Sequence, residues 1–263
     1  MGVRVGSIIT PLVLTYNEAP NIGRTLESLR WAERVVVLDS GSLDETENLS
    51  KRFPNVDWHV RSFDSHGQQW SYGIRQTGIE QGYVLALDAD MAVPTLFVEE
   101  LEQAFLAGDY VGGVTPFEYR ILGRALTGAV YPAQLRVFKP HEVVIAQPGH
   151  TQEFSINGAI YTFKTKLIHD DRKSLERWVA AQLSYSALEL KRIGDRKQLR
   201  WRDRLRQLGV MPWLIGLYAY CKAGGPFRGA AAARYAYERV TFECLLALRC
   251  LTERLEREDS TKD

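Results

Sequence analysis

Cysteine is scarce: the three in 263 residues, Cys221, Cys244 and Cys250, come late in the chain and show no C-x-x-C spacing, which argues against a disulfide framework or a thiolate zinc site. A dominant charge is missing too. The 33 Lys and Arg stand against 32 Asp and Glu, a formal net charge of +1, so there is no general basic excess of the kind that binds nucleic acid. Neither G-x-G-x-x-G nor G-x-x-x-x-G-K-[ST] follows the first apolar stretch, which argues against a dinucleotide-binding enzyme and a P-loop phosphotransferase. No internal repeat or low-complexity tract is present. The opening apolar run leads straight into Tyr16-Asn17-Glu18 without a small-residue cleavage site, so it reads as a buried first strand rather than a secretion signal. That reading predicts a cytoplasmic protein. What remains, 45% hydrophobic and 25% charged, is the composition of an ordinary globular chain long enough for one domain and an appendage.

The first hundred residues alternate β-branched runs with helical patterns, the signature of βαβ units and a mostly parallel sheet. The pattern predicts strands at 8–14, 34–38, 56–60 and 83–87, with helices after Pro20, near 44–53 and near 67–77. In such a doubly wound α/β fold, ligands bind beyond the carboxyl ends of the strands. Tyr16-Asn17-Glu18, Asp39-Ser40-Gly41-Ser42 and Asp88-Ala89-Asp90 each follow a predicted strand, so three loops bring carboxylates to one edge. Asp88 and Asp90, flanking a small residue, can hold a Mg²⁺ or Mn²⁺ that also binds a diphosphate. A lone D-x-D is equally a solvated loop or a helix cap, but Pro94 and the apolar positions Leu96, Phe97, Val98, Leu101 and Phe105 place a helix after it, as a site requires. Asp39 beside Gly41 can accept a hydrogen bond from a nucleobase, or simply form the turn.

Taken together, Leu14-Thr15-Tyr16-Asn17-Glu18, Asp39-Ser40-Gly41-Ser42-Leu43-Asp44-Glu45-Thr46 and Leu87-Asp88-Ala89-Asp90 resemble the successive nucleotide-sugar motifs of glycosyltransferase family 2. The resemblance is strong over about residues 7–115. It implies a GT-A fold, an inverting mechanism and a nucleotide-diphosphate sugar, with uracil as the preferred base, bound by Thr15, Tyr16, Asn17, Glu18 and Asp39. It further implies Asp90 as the main metal ligand at the catalytic centre, with Asp88 at the ribose or the metal. Trp70-Ser71 stands where many members carry Arg or Lys followed by Asn, and Arg75, one turn on, either replaces that contact or is a solvated helix charge.

The second half, from Gln134-Leu135-Arg136-Val137-Phe138 to Ile168-His169-Asp170-Asp171-Arg172-Lys173, resembles a branch that builds lipopolysaccharide cores and related glycans. Where many of those members have His-Glu in the acceptor loop, this chain reads Gly149-His150-Thr151-Gln152-Glu153. An inverting transfer needs a base opposite the leaving diphosphate. Glu153, His150, Asp170 and Asp171 are the candidates, and Glu153 is preferred for its place in that loop. The cluster from His169 to Lys173 either closes over the diphosphate with its two cations or starts a helix.

Residues 191–206 carry eight basic and two acidic residues, a net +6, interrupted by Leu199, Trp201 and Leu205. Residues 207–221 are uncharged and aromatic but contain Pro212 and fall short of the roughly 20 residues that span a bilayer. A last helix is predicted near 229–256, with Tyr237, Val240, Cys244, Leu248, Leu251 and Leu255 as its apolar stripe. These features predict a GT-A domain over residues 1–205 and a helical segment over 206–263. The segment either meets an anionic membrane at the inner face of the cell membrane, consistent with a saccharide or lipid-linked acceptor, or packs on the catalytic domain or a second subunit. Two rivals remain. A sugar-1-phosphate nucleotidyltransferase would need a glycine- and arginine-rich loop after its first strand, which Tyr16-Asn17-Glu18-Ala19-Pro20 does not provide. A membrane-attached nucleotide-sugar binding protein without a base is the other.

Overall fold

The computed structural model describes residues 4–146, 152–195 and 201–260. They form two compact units, one of residues 4–123, 131–146 and 152–173, the other of 124–130, 174–195 and 201–260. The boundary expected near 205 falls earlier, because helix-forming sequence from Leu175 onward packs with the C-terminal helices.

In the first unit, a helical turn α1 (Val5–Ile8) leads into β1 (Ile9–Thr15), followed by α2 (Ile22–Glu27), β2 (Val35–Asp39), α3 (Thr46–Ser50), β3 (Val56–Val60), α4 (His66–Gln76) and β4 (Tyr83–Asp88). Next come β5 (Met91–Ala92), α5 (Thr95–Phe105), β6 (Gly112–Thr115) and β7 (Phe117–Ile121). After β8 (Arg124–Ala125), which belongs to the second unit, lie β9 (Gln134–Phe138), β10 (Val144–Ala146), β11 (Glu153–Ser155), β12 (Ile160–Thr162) and β13 (Leu167–His169). The main sheet has the order β12-β6-β9-β4-β1-β2-β3. Strands β3, β2, β1 and β4 are mutually parallel, and β9 runs antiparallel to both β4 and β6.

The central strands are apolar on both faces because helices cover both. Val35 and Val37 point into a core with Ile22, Leu26, Phe97 and Leu101. Their neighbours Val36 and Leu38 point the other way, onto Trp70, Ile74 and Phe138. Gly73 lets α4 approach closely, since a Cβ there would stand 2.9 Å from the Leu12 side chain.

The second unit is helical: α6 (Leu175–Gly194), α7 (Trp201–Gln207), α8 (Met211–Ala223), a 3₁₀ turn at Gly225–Arg228 and α9 (Gly229–Ser260). Its interior holds charge. Arg206 bridges Glu189 on α6 (3.0 Å) and Glu243 on α9 (2.6 Å), while Arg192 pairs with Glu189 and with Asp203 on α7 (3.3 Å). Glu189, Asp203 and Glu243 are all buried. This network corrects the expected stripe on α9. Its buried positions are Ala231, Ala232, Tyr235, Ala236, Glu238, Glu243, Leu246, Ala247 and Cys250, whereas Tyr237, Cys244, Leu248, Leu251 and Leu255 are exposed. An apolar count overlooks a face built from alanines and a neutralised glutamate.

Candidate active site

Register sets the site. In the parallel pairs, Thr15 lies beside Asp39 and Leu14 beside Asp88, so the loops after β1, β2 and β4 leave the sheet at one level. The loops after β1 and β2 are stitched together. The Asn17 N–H donates to Ser42 Oγ (2.6 Å), the Leu43 N–H to Asn17 Oδ1 (2.7 Å) and the Glu18 N–H to Thr46 Oγ1 (2.7 Å). Asn17 sits at φ 52° to make these bonds, a left-handed conformation that asparagine tolerates better than most residues.

Asp39, at 2% exposure, organises its own turn: Oδ2 accepts from the Gly41 N–H (2.8 Å) and the Ser42 N–H (2.7 Å), and Oδ1 accepts from Ser42 Oγ. Gly41 closes that turn at φ 89°. Thr15 Oγ1 is buried with no hydrogen-bond partner, and Tyr16 is half exposed beside it.

Asp88 and Asp90, one residue apart, have different surroundings. Asp88 Oδ2 accepts from Arg136 (3.2 Å), a guanidinium at 1% exposure that also donates to Gln134 Oε1 (2.7 Å) and lies 5.6 Å over the Phe117 ring. Asp90 is directed elsewhere. Its Oδ1 is buried without a hydrogen-bond partner and lies 3.8 Å from His169 Nε2, and its Oδ2 lies 3.9 Å from Lys173 Nζ. The His169 ring is stacked on Tyr119, with centroids 4.6 Å apart.

The segment after β13 is bound to the loop after β1. Lys173 Nζ donates to Glu18 Oε1 (2.7 Å), and Asn21 Nδ2 donates to Glu18 Oε2 (2.8 Å) and Asp171 Oδ1 (3.0 Å). Burial, opposed by Lys173 and reinforced by the charge of Asp90, pushes the Glu18 carboxyl up to about 7. Burial also disfavours the Lys173 ammonium, yet Asp90, Glu18 and Asp171 outweigh it and hold its pKa above the ordinary lysine value. Asp170 is clamped by Arg24 (2.9 Å), Arg172 (2.8 Å) and the Gly123 N–H (2.9 Å). Despite burial, these donors keep its carboxyl below the usual range.

Thr15, Tyr16, Asn17, Glu18, Asp39, Asp88 and Asp90 are therefore gathered at one edge, and His169 joins them. Arg75 is not. The crossover helix α4 runs against the strands, so Arg75, in its last turn, lies toward the opposite edge, where its guanidinium donates to the Val143 carbonyl (3.4 Å). Asp170 and Asp171 are committed to Arg24, Arg172, Asn21 and Lys173, which leaves them poorly placed to take a proton from an acceptor. His150 lies outside the described residues.

Glu153 is exposed on a ribbon in which Ala146 pairs with Glu153 and Ile145 with Phe154. The ribbon follows α4 from Arg75 at Val143 to Trp70, against which Phe154 packs edge-on at 5.4 Å. Glu153 is the next residue along, toward the amino end of α4 and the carboxyl edge of the sheet. Sequence reading placed Arg136 only within the segment resembling the lipopolysaccharide-core branch and gave it no role. A single cation inside the apolar run Leu135-Arg136-Val137-Phe138 was the available sign that it pairs with something buried.

The chain is 34% identical over 125 residues to glycosyltransferase AglE of Haloferax volcanii, a match covering 43% of this chain and 40% of that protein. It is 26% identical over 108 residues to lipopolysaccharide core biosynthesis glycosyltransferase LpsC of Rhizobium meliloti, covering 40% of each. The matches thus span about two-fifths of these curated relatives' length. The fold is similar to that of S. aureus TarS 1-349 in complex with UDP, with a TM-score of 0.50 at 12% identity, covering 93% of this chain and 91% of that one. This is the GT-A architecture. The family description "Glycosyl transferase family 2" matches residues 8–157, more than half of the chain, and the protein belongs to that family.

Proposed function

We propose that the protein transfers a sugar, with inversion, from a uridine-diphosphate donor to a saccharide or lipid-linked acceptor in cell-envelope glycan synthesis. The observation that carries this reading is the register placing Thr15 beside Asp39 and Leu14 beside Asp88. The uridine follows the UDP of the TarS complex, and the acceptor class follows the name of LpsC. Tyr16 and the Asp39 turn receive the nucleoside, and Asp88, held by Arg136, faces the ribose. Glu153 accepts the proton of the acceptor hydroxyl as that oxygen attacks the anomeric carbon from the side opposite the diphosphate.

Among the described residues, no three His, Cys, Asp or Glu side chains form a ready-made metal cage. Asp90 and His169 still fit a Mg²⁺ or Mn²⁺, because such ions are commonly held by one or two protein groups together with substrate phosphates. The unpartnered Asp90 Oδ1 opposite His169 Nε2 supports that assignment, with Asp88 committed to Arg136. When bound, the cation supplies positive charge against the departing diphosphate.

The same reading places the protein peripherally on an anionic membrane. Among the described residues no helix is long and apolar enough to cross one. Helix α8 exposes Trp213 (82%), Leu214, Leu217 and Tyr218, spaced to share one side, and Phe227 after it is 96% exposed. Arg202, stacked on the exposed Trp201, and Arg204 add positive charge. Arg206 does not contribute, because it is spent inside the helical unit, and Arg196, Lys197 and Arg200 lie outside the described residues.

The test is a screen of purified protein against nucleotide sugars with Mn²⁺ or Mg²⁺. Metal-dependent binding and slow hydrolysis of a UDP-sugar are expected. Binding without hydrolysis or transfer to any saccharide acceptor would indicate a non-catalytic binder, and pyrophosphate release from a nucleoside triphosphate would indicate a nucleotidyltransferase.

A further inference from the structure

Lys173 stands where three loops of the site converge, and the transfer chemistry above makes no use of it. Its Nζ is 2.7 Å from Glu18 Oε1, 3.1 Å from Asp171 Oδ1 and 3.9 Å from Asp90 Oδ2, and its side chain is 17% exposed. Those three carboxylates belong to the loop after β1, the segment after β13 and the loop after β4. The hydrogen bonds to Glu18 and Asp171 keep the ammonium beside Asp90 at a distance that, in partly buried surroundings, leaves charge–charge effects strong.

A fixed positive charge acts in opposite senses on the two ligands assigned to this edge. It repels a divalent cation on Asp90 and attracts the oxygens of a diphosphate. Asp90 and His169 are also only two protein groups, so the other coordination positions of a cation fall to water or to the nucleotide. Without Lys173, the carboxylates of Asp90 and Asp171 would together favour a cation in the free protein.

We propose that Lys173 sets the order of assembly: it keeps cation binding to the free protein weak and promotes arrival of the nucleotide diphosphate, so that cation and diphosphate are held as a pair. Because the repulsion and the attraction come from one ammonium, they largely offset each other when both ligands are bound. This rests on the donor reading above, with Asp90 as the cation's carboxylate.

The experiment measures Mn²⁺ binding to the full chain without nucleotide, by paramagnetic resonance of free Mn²⁺, and UDP binding with and without Mn²⁺, by calorimetry. Lys173→Gln and Lys173→Met remove the charge, Gln retaining a hydrogen-bonding end for Glu18 and Asp171, and Lys173→Arg keeps the charge. The neutral variants should bind Mn²⁺ alone at least about tenfold more tightly than wild type and UDP alone at least several-fold more weakly, with the affinity for the Mn²⁺–UDP pair changing far less than either. Lys173→Arg should resemble wild type. Thermal melts supply an independent readout, since Mn²⁺ without nucleotide should raise the Tm of Lys173→Gln more than that of wild type. Unchanged or weaker Mn²⁺ binding in folded neutral variants that still take up UDP would overturn the role of Lys173. Failure of wild type to bind UDP even with Mn²⁺ would overturn the donor reading beneath it.

Discussion

Arg136, buried in the middle of β9, reaches across to the end of β4 and donates to Asp88 Oδ2 at 3.2 Å. The pair fixes the first carboxylate of the D-x-D loop and leaves Asp90 as the one turned toward His169 and Lys173. Replacing Arg136 by Met should cost about 1–2 kcal/mol of stability, because the Ala86 carbonyl and Gln134 lose their buried donor while the partly exposed Asp88 can still be solvated. Chemical denaturation measures that loss. At a temperature where the variant is folded, UDP affinity should also fall, because the Asp88 carboxylate is no longer held.

Asp90→Asn should lose most transfer activity while retaining the fold, because the buried oxygen beside His169 has no structural partner to lose. Wild type treated with excess EDTA should lose activity in parallel and regain it with Mn²⁺ or Mg²⁺. Full activity in EDTA would exclude the proposed metal role.

Glu153→Gln should reduce transfer at least about a hundredfold, the low end of what a positioned base contributes, with donor affinity unchanged. Single-turnover transfer and donor calorimetry separate the two effects. Near-normal transfer would move the base to His150.

Arg206 and Trp213 should behave as opposites. Arg206→Met leaves Glu189 and Glu243 buried without their shared partner, so unfolding should become easier by about 3 kcal/mol. Trp213→Ser, at an 82% exposed position, should leave stability unchanged but reduce sedimentation with anionic liposomes, especially together with Leu217→Ser. Equal sedimentation of wild type and the double variant would remove α8 from the membrane contact.

Glu100 offers a pH-dependent test away from the site. Its carboxylate accepts from the Lys164 N–H, the Thr165 N–H and Tyr161 OH, all at 2.8–2.9 Å, and against the effect of burial these bonds hold its pKa below the ordinary value. A depressed folded-state pKa means the contribution is complete above the unfolded value, near 4.3, and fades as pH falls through the folded one. Glu100→Gln should therefore cost about 1.5 kcal/mol at pH 7 and progressively less in acid, as urea titrations at several pH values would record.

The edge that gathers Thr15, Asp39 and Asp88 was legible because strand periodicity fixes where each strand ends. Residues 35–38 read as one apolar run and form the strand Val35–Asp39, so Asp39 falls at its tip. Arg75 illustrates the limit: helical spacing put it one turn beyond Trp70, but only the direction of α4 shows that one turn leads away from the edge. Lys173 and Glu18 are 155 positions apart, and no local pattern predicts their 2.7 Å contact. The face of α9 was misjudged because sequence patterns count Glu243 as a surface residue, whereas Arg206 from another helix makes it an interior one.

The stitching of the first two loops has an evolutionary consequence. Asn17 serves both sides of the seam, donating its N–H to Ser42 and accepting the Leu43 N–H, while Thr46 receives the Glu18 N–H. Exchanging one loop alone should therefore disturb the other, and on the proposed donor reading a change of nucleotide preference calls for paired replacement: a chimera carrying only one foreign loop should lose affinity for both parental donors.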